Sequence, residues 1–362
     1  MKKLKFFLAT FVVTIFIFGL YSCTKEEISD TQEITKNIVD INSINIDLDK
    51  VSDGFGQNYA IFSNATEFAN FITKYGSISE DNRIKLLKKR KYISLDTYLN
   101  EIVKGMDKLN SKDDVDAYII KYQNILELQQ TDQGEDILAF KNITKHGVKP
   151  FLNVDMIVKV GDEFLKYVDT YAVYANEYSK LLNLHSIEDI KNSGLQFHKA
   201  YNVLSKESFK KNQIELRTLG NYFFDYATYD VSWCKNDRRV SFEIGIYEYW
   251  FNLGGIFQIT IDRRAEANAT KKGIPCIWYA NYTEITWNNF NMAYNFTNHL
   301  GVTSNEPWVL PNLYQHAHCI TRGETFYVYQ SNWGGIATYS FTKMRSDLIT
   351  TGMANHWLII NR

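Results

Sequence analysis

The chain has no excess of positive charge and no second apolar run of membrane-spanning length. Its 362 residues include 40 basic and 41 acidic ones, a balance that excludes the electrostatic attraction on which nucleic-acid binding depends. Outside residues 6–20, no apolar stretch approaches the roughly 20 residues that a membrane-spanning helix needs. No internal repeat recurs at a fixed period, so the sequence does not predict a repeat architecture.

Cysteine is also scarce, since four occur in the whole chain. The three beyond Cys23 allow either one disulfide with a leftover thiol or three free thiols. Cys276 and Cys319 fall on neighbouring predicted strands, which favours core packing or a disulfide between them and leaves Cys234 as the unpaired thiol. Neither a metal nor another cofactor is predicted, because no second pair of ligand residues with metal-site spacing accompanies His316 and His318.

The first 23 residues have the features of an export signal. Lys2, Lys3 and Lys5 precede the apolar residues 6–20, and Leu-Tyr-Ser then leads to Cys23. This end of the run resembles the lipobox of bacterial lipoproteins, in which a small residue precedes the lipidated cysteine. The resemblance implies cleavage before Cys23 and an anchor through acyl chains, several of which hold a protein durably at a membrane. The alternative is an ordinary signal peptide with an incidental cysteine.

Residues 23–58 are predicted to form a lipidated tether, because they are polar and short of aromatic side chains. Their start, Thr24-Lys25-Glu26-Glu27, resembles the export tag of Bacteroidetes surface lipoproteins, which implies the outer face of the outer membrane. A plain acidic, solvated tether is the alternative. Loss of residues 1–22 would leave 37 basic and 41 acidic residues, a net charge of −4.

Residues 59–212 are predicted to form a helical domain. Apolar side chains from Leu95 to Leu109 recur at the spacing of one helix face, and Ser94 precedes them as a natural N-cap. Ser111 begins the next helix, with Asp114 in place of the usual glutamate of a capping box. Further helices are predicted at 64–75, 162–182 and 187–203.

Residues 213–362 are predicted to form a β-rich domain that contains all seven tryptophans. Apolar residues alternate from Val240 to Ile246, and a turn at 252–255 leads into a returning strand. A helix is predicted at 289–300. The fold class is therefore α+β, with a helical N-terminal domain followed by an aromatic-rich, mainly antiparallel β domain.

The most informative motif runs from His316-Ala317 through Gly323 to Asn332-Trp333-Gly334. It resembles the second half of papain-like cysteine peptidases of the streptopain-like and C39-like groups, in which a His-Ala strand, a glycine turn and an Asn-Trp-Gly unit follow one another. The likeness covers residues 270–342. The strand pattern predicts a hairpin in which 316–321 pairs with 325–330.

The resemblance implies a role for each matched residue. His316 would be the base, Asn332 would orient its imidazole, and Trp333 would shield that hydrogen bond. Such a base activates a thiolate, and Cys234 is the upstream candidate. The family's cysteine begins a long helix, whereas strand-like alternation follows Cys234. The resemblance therefore extends equally to a peptidase-like domain without activity.

Other interpretations of these residues stay open. His316 and His318 also suit a plain strand, or zinc ligation with Cys319 or His299, although Cys319 would face away from both histidines. Aromatic residues make up 15% of the chain and neighbour Asn-rich turns. This composition is typical of sugar-binding faces. The alternative function is a surface lipoprotein that binds a glycan, a peptide or a protein partner without catalysis.

Overall fold

The computed structural model of the protein describes residues 58–78, 80–88, 92–130, 134–204, 222–226, 238–273, 276–332, 335 and 337–350. These residues form a mixed α+β fold that is mostly strand, with a helical N-terminal region, as predicted. None of the helices in these ranges has the length and apolarity that crossing a membrane requires. The predictions for Cys23, Cys234, Trp333, the signal peptide and nearly all of the tether lie outside the described residues.

The α-helices of the described chain all precede residue 193. They are α1 Ala65–Ser77, α2 Glu80–Lys88, α3 Leu95–Met106, α4 Lys112–Lys121 and α5 Ile187–Asn192. The Ser94 hydroxyl accepts the Thr97 N–H at the start of α3. At the start of α4, the Ser111 hydroxyl accepts the Asp114 N–H at 3.1 Å and the Asp114 carboxylate accepts the Ser111 N–H at 3.0 Å. Both predicted caps are confirmed.

The strands form three sheets. Sheet I has the order β1-β4-β5-β6-β7, sheet II contains β2, β3, β8, β9, β10, β11, β12 and β16, and sheet III contains β13, β14, β15 and β17. The strands are β1 Ile61–Phe62, β2 Leu126–Gln130, β3 Asp136–Phe140, β4 Ile157–Val160, β5 Glu163–Val168, β6 Tyr171–Ala175, β7 Phe197–Lys199, β8 Tyr201–Val203, β9 Tyr222–Tyr226, β10 Arg238–Asn252, β11 Phe257–Lys272, β12 Trp278–Ala280, β13 Thr283–Thr297, β14 Thr303–Val309, β15 Leu313–Ala317, β16 Cys319–Ser331 and β17 Thr338–Thr350.

Strands β10 and β11 form the hairpin that the alternation predicted. They pair in antiparallel register from Asn252 opposite Phe257 to Arg238 opposite Lys271. Gly254 and Gly255 have φ values of 76° and 95° in the connecting turn, a conformation that glycine adopts without steric cost. The hairpin is longer than predicted and forms the centre of sheet II.

Two predicted helices are wrong, and a third is shorter than predicted. The span 162–182 forms β5 and β6, and 187–203 is helical only as far as Asn192. The residues that replace the helices are largely aromatic or β-branched, which favours strands. Asp169 turns the chain between β5 and β6 with φ 49°. The predicted helix at 289–300 belongs largely to β13, where buried and partly exposed side chains alternate with the period of two that strands require.

The predicted hairpin around Gly323 is also wrong. Residues 319–331 form the single strand β16, which pairs with β11 along its length. Gly323 lies opposite Arg264 in the middle of this pairing. A glycine suits a turn, but here continuous pairing to a long neighbouring strand holds the backbone extended.

The predicted boundary at residue 212 does not separate two cores. Strand β8 pairs with β10, and β3 pairs with β12, so early and late segments share sheet II. One core packs α1 and α3 against this sheet through residues such as Phe68, Leu99 and Phe251. A second core fills the space between sheets II and III with residues such as Ile261 and Trp287. Each fully buried side chain of this size contributes about 1.5–3 kcal/mol.

Candidate functional site

The predicted catalytic histidine and asparagine do not come together. His316 is an exposed residue of β15 in sheet III, with its ring 4.6 Å from that of Tyr282. Asn332 is exposed and directly follows β16 in sheet II. The 13 residues of β16 lie between them. At about 3.3 Å per residue, this strand separates the two side chains by on the order of 40 Å.

The cysteines pair differently from the prediction. Cys276 is disulfide-bonded, whereas Cys319 is a free thiol, so the predicted pairing of these two is wrong. The partner of Cys276 therefore lies outside the described residues. Burial raises the pKa of the Cys319 thiol to about 12, helped by the nearby Glu266. Since the thiolate is the nucleophile, Cys319 is unreactive at neutral pH.

The zinc interpretation finds no support where side chains are placed. Within the described ranges, no group of three or more His, Cys, Asp or Glu residues is arranged to hold a metal ion. His299 instead stacks on Tyr329, with ring centroids 4.1 Å apart and an interplanar angle of 7°. Its Nδ1 also lies 3.2 Å from the Tyr327 hydroxyl.

The described tryptophans do not form an exposed platform for sugars. Trp278, Trp287 and Trp308 are buried. Trp250 is partly exposed, and its indole N–H donates to Glu248 at 2.7 Å. These indoles therefore contribute to packing, as core tryptophans ordinarily do. The other three tryptophans lie outside the described residues.

A cavity of about 280 Å³ lies between the helices and sheet II. Residues of α1, α2, α3 and the segment 146–150 line one side, and residues of β11 and β16 line the other. Alternate residues of β11 face this side of the sheet, because side chains of a strand point to opposite faces in turn. On that face, Asp262, Arg264 and Glu266 follow one another at two-residue spacing.

Arg264 and Glu266 form a buried ion pair at the cavity wall. Arg264 Nη2 donates to Glu266 Oε2 at 2.8 Å, and its Nη1 donates to the Lys145 carbonyl at 2.5 Å. Thr321 and Asn268 donate to the two oxygens of Glu266 at 3.3 and 3.0 Å. Burial acts to raise the pKa of Glu266, but the charge of Arg264 outweighs it and holds that pKa well below its usual range.

Lys149 lies near this ion pair, and the charge of Glu266 favours its protonated form. Its ammonium makes no hydrogen bond or salt bridge to another side chain in the described part of the chain. Burial lowers the pKa of Lys149, and the positive charge of Arg264 lowers it further. A buried ammonium without a hydrogen-bonded anionic partner is costly, since burial removes its hydration.

Asp262 is a second charged group whose side chain lacks a full set of hydrogen-bond partners. Burial raises its pKa to about 6, although a hydrogen bond from Thr325 opposes the shift. Its Oδ1 is buried and finds no hydrogen-bond partner among the residues described. Gly147 faces the same carboxylate, and a Cβ built on it would lie 4.0 Å from Asp262 Oδ2.

Two neutral histidines also line the cavity. His146 is fully buried, and its Nδ1 accepts the Val148 N–H at 3.3 Å. The proton of the neutral ring therefore lies on Nε2, for which the described structure provides no partner. His318 Nδ1 also lacks a partner there. Burial lowers the pKa of His318 to about 4, and the charge of Lys149 adds to this effect.

Arg83 of α2 fixes the helices over the sheet. It donates to the carbonyls of Tyr75 at 2.9 Å, Gly76 at 2.5 Å and Gly323 at 3.1 Å. Gly76 permits this approach, since a Cβ there would lie 2.5 Å from Thr325 Oγ1. The cavity thus has a rigid frame on both sides.

The sequence contained one signal for this site that was missed. The turn at 252–255 predicts a returning strand, and charged residues alternate with others directly after Ile261. Extension of the same alternation places Asp262, Arg264 and Glu266 on one face. Lys149 and His146 carried no sequence signal, because they lie on a connecting segment far from β11 in the chain.

Comparison with known proteins assigns no family. No family model matches the chain, and no curated protein matches it. A crystal structure of a DUF4848 family protein from Bacteroides thetaiotaomicron is similar, at 14% sequence identity. The alignment covers 83% of this chain and 93% of that chain, with a TM-score of 0.26. A TM-score this low does not establish a shared fold or a shared function, so the function is inferred from the site itself.

Proposed function

We propose that this protein is a lipid-anchored surface protein that binds a small polar molecule in the cavity between its helices and sheet II. One observation carries the proposal: Asp262 Oδ1, His146 Nε2 and His318 Nδ1 are buried without a hydrogen-bond partner within the described chain, and Lys149, which makes no salt bridge there, lines the same cavity. Each buried polar group without a partner costs about 1–3 kcal/mol. A bound ligand offsets these costs together.

The character of the cavity supports binding of a small molecule. Its volume of about 280 Å³ lies just below the roughly 300 Å³ at which ligand pockets usually begin. A molecule the size of a monosaccharide or an amino acid fits this space, whereas a polysaccharide does not. Titratable groups with shifted pKa values converge on it, which is characteristic of functional sites.

Graded substitution of Gly147 tests the proposal. Its backbone is outside the left-handed region, and a Cβ meets nothing closer than 4.0 Å. Gly147→Leu is therefore expected to fill the cavity, while Gly147→Ala leaves most of it open. Small polar ligands should raise the melting temperature of the native protein and the alanine variant but not that of the leucine variant. Equal stabilisation of all three, or of none, would refute binding in this cavity.

The anchor part of the proposal rests on the lipobox-like residues before Cys23. Cys23→Ala is expected to abolish incorporation of labelled fatty acid and to release the protein from the membrane fraction. Protease treatment of whole cells checks the proposed exposure on the outer membrane. An unlabelled native chain would refute lipidation and leave the cavity proposal intact.

The papain-like peptidase stays a prediction that no described contact favours. His316 and Asn332 are far apart, and Cys234 and Trp333 lie outside the described residues. Peptide mapping without reduction tests this hypothesis directly. A disulfide between Cys234 and Cys276 would refute it, because Cys234, the candidate nucleophile, would then have no free thiol.

A further inference from the structure

We propose that the ligand of this cavity is a small carboxylic acid whose carboxylate pairs with Lys149. The inference rests on the proposed function and adds the chemical class of the ligand. It draws on the difference between two neighbouring cations. Arg264 has a carboxylate partner at 2.8 Å, whereas Lys149 has none within the described structure.

In the described part of the structure, Glu266 makes no salt bridge to Lys149, although its charge attracts the ammonium. Its Oε2 accepts from Arg264 and Thr321, and its Oε1 accepts from Asn268. The three N–H donors of Lys149 therefore need acceptors from elsewhere. A carboxylate supplies both the acceptors and the opposite charge, which is the combination that stabilises a buried ammonium.

The opposite end of the cavity defines the rest of the ligand. Asp262 lies two residues before Arg264 on the same face of β11, about 7 Å along the strand, and Arg264 is also close enough to Lys149 for its charge to act on that ammonium. Asp262 Oδ1 is a hydrogen-bond acceptor without a donor, and His146 Nε2–H is a donor without an acceptor, in the described chain. A hydroxyl group on the ligand satisfies both atoms, and an ammonium group satisfies the aspartate alone. The expected ligand therefore carries a hydrogen-bond donor at the end away from its carboxylate.

The experiment compares matched ligands on the full-length protein purified in detergent. The probes are small hydroxy acids and amino acids, each paired with its own carboxamide, and the readout is the dissociation constant from calorimetry. Acids are expected to bind at least about 30-fold more tightly than their amides, because loss of a buried ionic partner costs about 2 kcal/mol or more. The hydroxy and amino series show which donor Asp262 prefers.

Substitution of Lys149 tests the assigned partner. Lys149→Met removes the charge at similar length and should abolish the preference for acids. Lys149→Arg keeps the charge and should retain a preference. Lys112→Met is the matched control, since Lys112 is 71% exposed on α4, and it should behave as the native protein. Melting temperatures of all three variants confirm that they fold.

The outcomes separate the two proposals. If amides bind as tightly as acids and Gly147→Leu still blocks binding, the carboxylate inference is overturned and the cavity proposal stands. If Lys149→Met keeps the full preference for acids, the assignment of Lys149 is overturned. If no probe binds the native protein, or if Gly147→Leu does not block binding, both proposals fail.

Discussion

The two faces of strand β11 meet different surroundings. The face toward sheet III carries Ile259, Ile261, Ala265 and Ala267, all fully buried among apolar side chains. The face toward the helices carries charged residues beside a cavity. Strand β11 thus faces an apolar core on one side and, within the core shared with the helices, a cavity lined by charged groups on the other.

The difference shows where stability and function reside. Replacement of a buried ion pair by apolar residues is often neutral or stabilising, so stability does not explain the charges on the helix side. Proteins depart from consistent local patterns mainly at functional sites. The polar face of β11 is such a departure, and its unpartnered atoms are the reason that we propose it as the binding face.

The largest expected effect comes from the apolar face. Ile261→Ala should lower the free energy of unfolding by about 2–5 kcal/mol, because it removes buried methyl groups from a core that cannot collapse fully around the gap. Urea unfolding measures the change. A loss below 1 kcal/mol would show that the space between the sheets is not tightly packed.

Glu248 tests whether an acid on the apolar face behaves as part of that core. It lies opposite Ile261, and burial raises its pKa to about 7. The folded state therefore holds a proton that the unfolded state releases near pH 4.5, so unfolding free energy should fall as pH rises from 5 to 8, by up to about 3 kcal/mol. Glu248→Gln should flatten this dependence. An unchanged slope in urea unfolding would contradict the assignment.

Asp262 is the matched test on the polar face. Its raised pKa means that stability is lost as pH rises from about 4 to above 6. Asp262→Asn should therefore stabilise the protein by about 1–2 kcal/mol at pH 8 and have no such effect at pH 4. It should also weaken ligand binding. Destabilisation at pH 8 would show that the charge is compensated by groups outside the described chain.

A helix cap distant from both faces of β11 serves as a control for a loss of stability that is unrelated to the cavity. Ser111→Ala removes the capping box of α4 and should cost about 1 kcal/mol without any effect on ligand binding. Calorimetric unfolding and binding, measured together, check both expectations. A change in affinity would mean that the cavity responds to general destabilisation, and the comparison of the two faces would then lose its meaning.

Local features of the fold were predictable from the sequence. The caps at Ser94 and Ser111 and the β10–β11 hairpin depend on residues near one another in the chain, and all three are confirmed. The residues of β13 were predicted as a helix because a short apolar pattern fits the period of a helix as well as that of a strand. Only pairing with neighbouring strands distinguishes the two. Strand β16 was broken at Gly323 because its partner lies about 60 residues away in sequence.

The candidate site was harder to predict for a different reason. Alternating charges on β11 indicate a solvent-facing surface when they are considered alone. Only the packing of α1 and α3 over that surface turns it into a buried one. The burial that singles out Asp262 and Lys149 as candidates therefore arises from tertiary structure, and the sequence of either segment does not reveal it.

Sheet II combines strands that are far apart in the sequence, which affects how the chain folds. Synthesis delivers β2 and β3 almost 200 residues before β16, yet all three belong to one sheet. Contacts that span such distances slow folding, since closure of a long loop precedes the gain from pairing. The parts of the early helices that pack against β10, β11 and β16 therefore stay uncovered until those strands are made, and such exposed apolar surface promotes aggregation. We expect the nascent chain to depend on a holding chaperone until its last strands emerge.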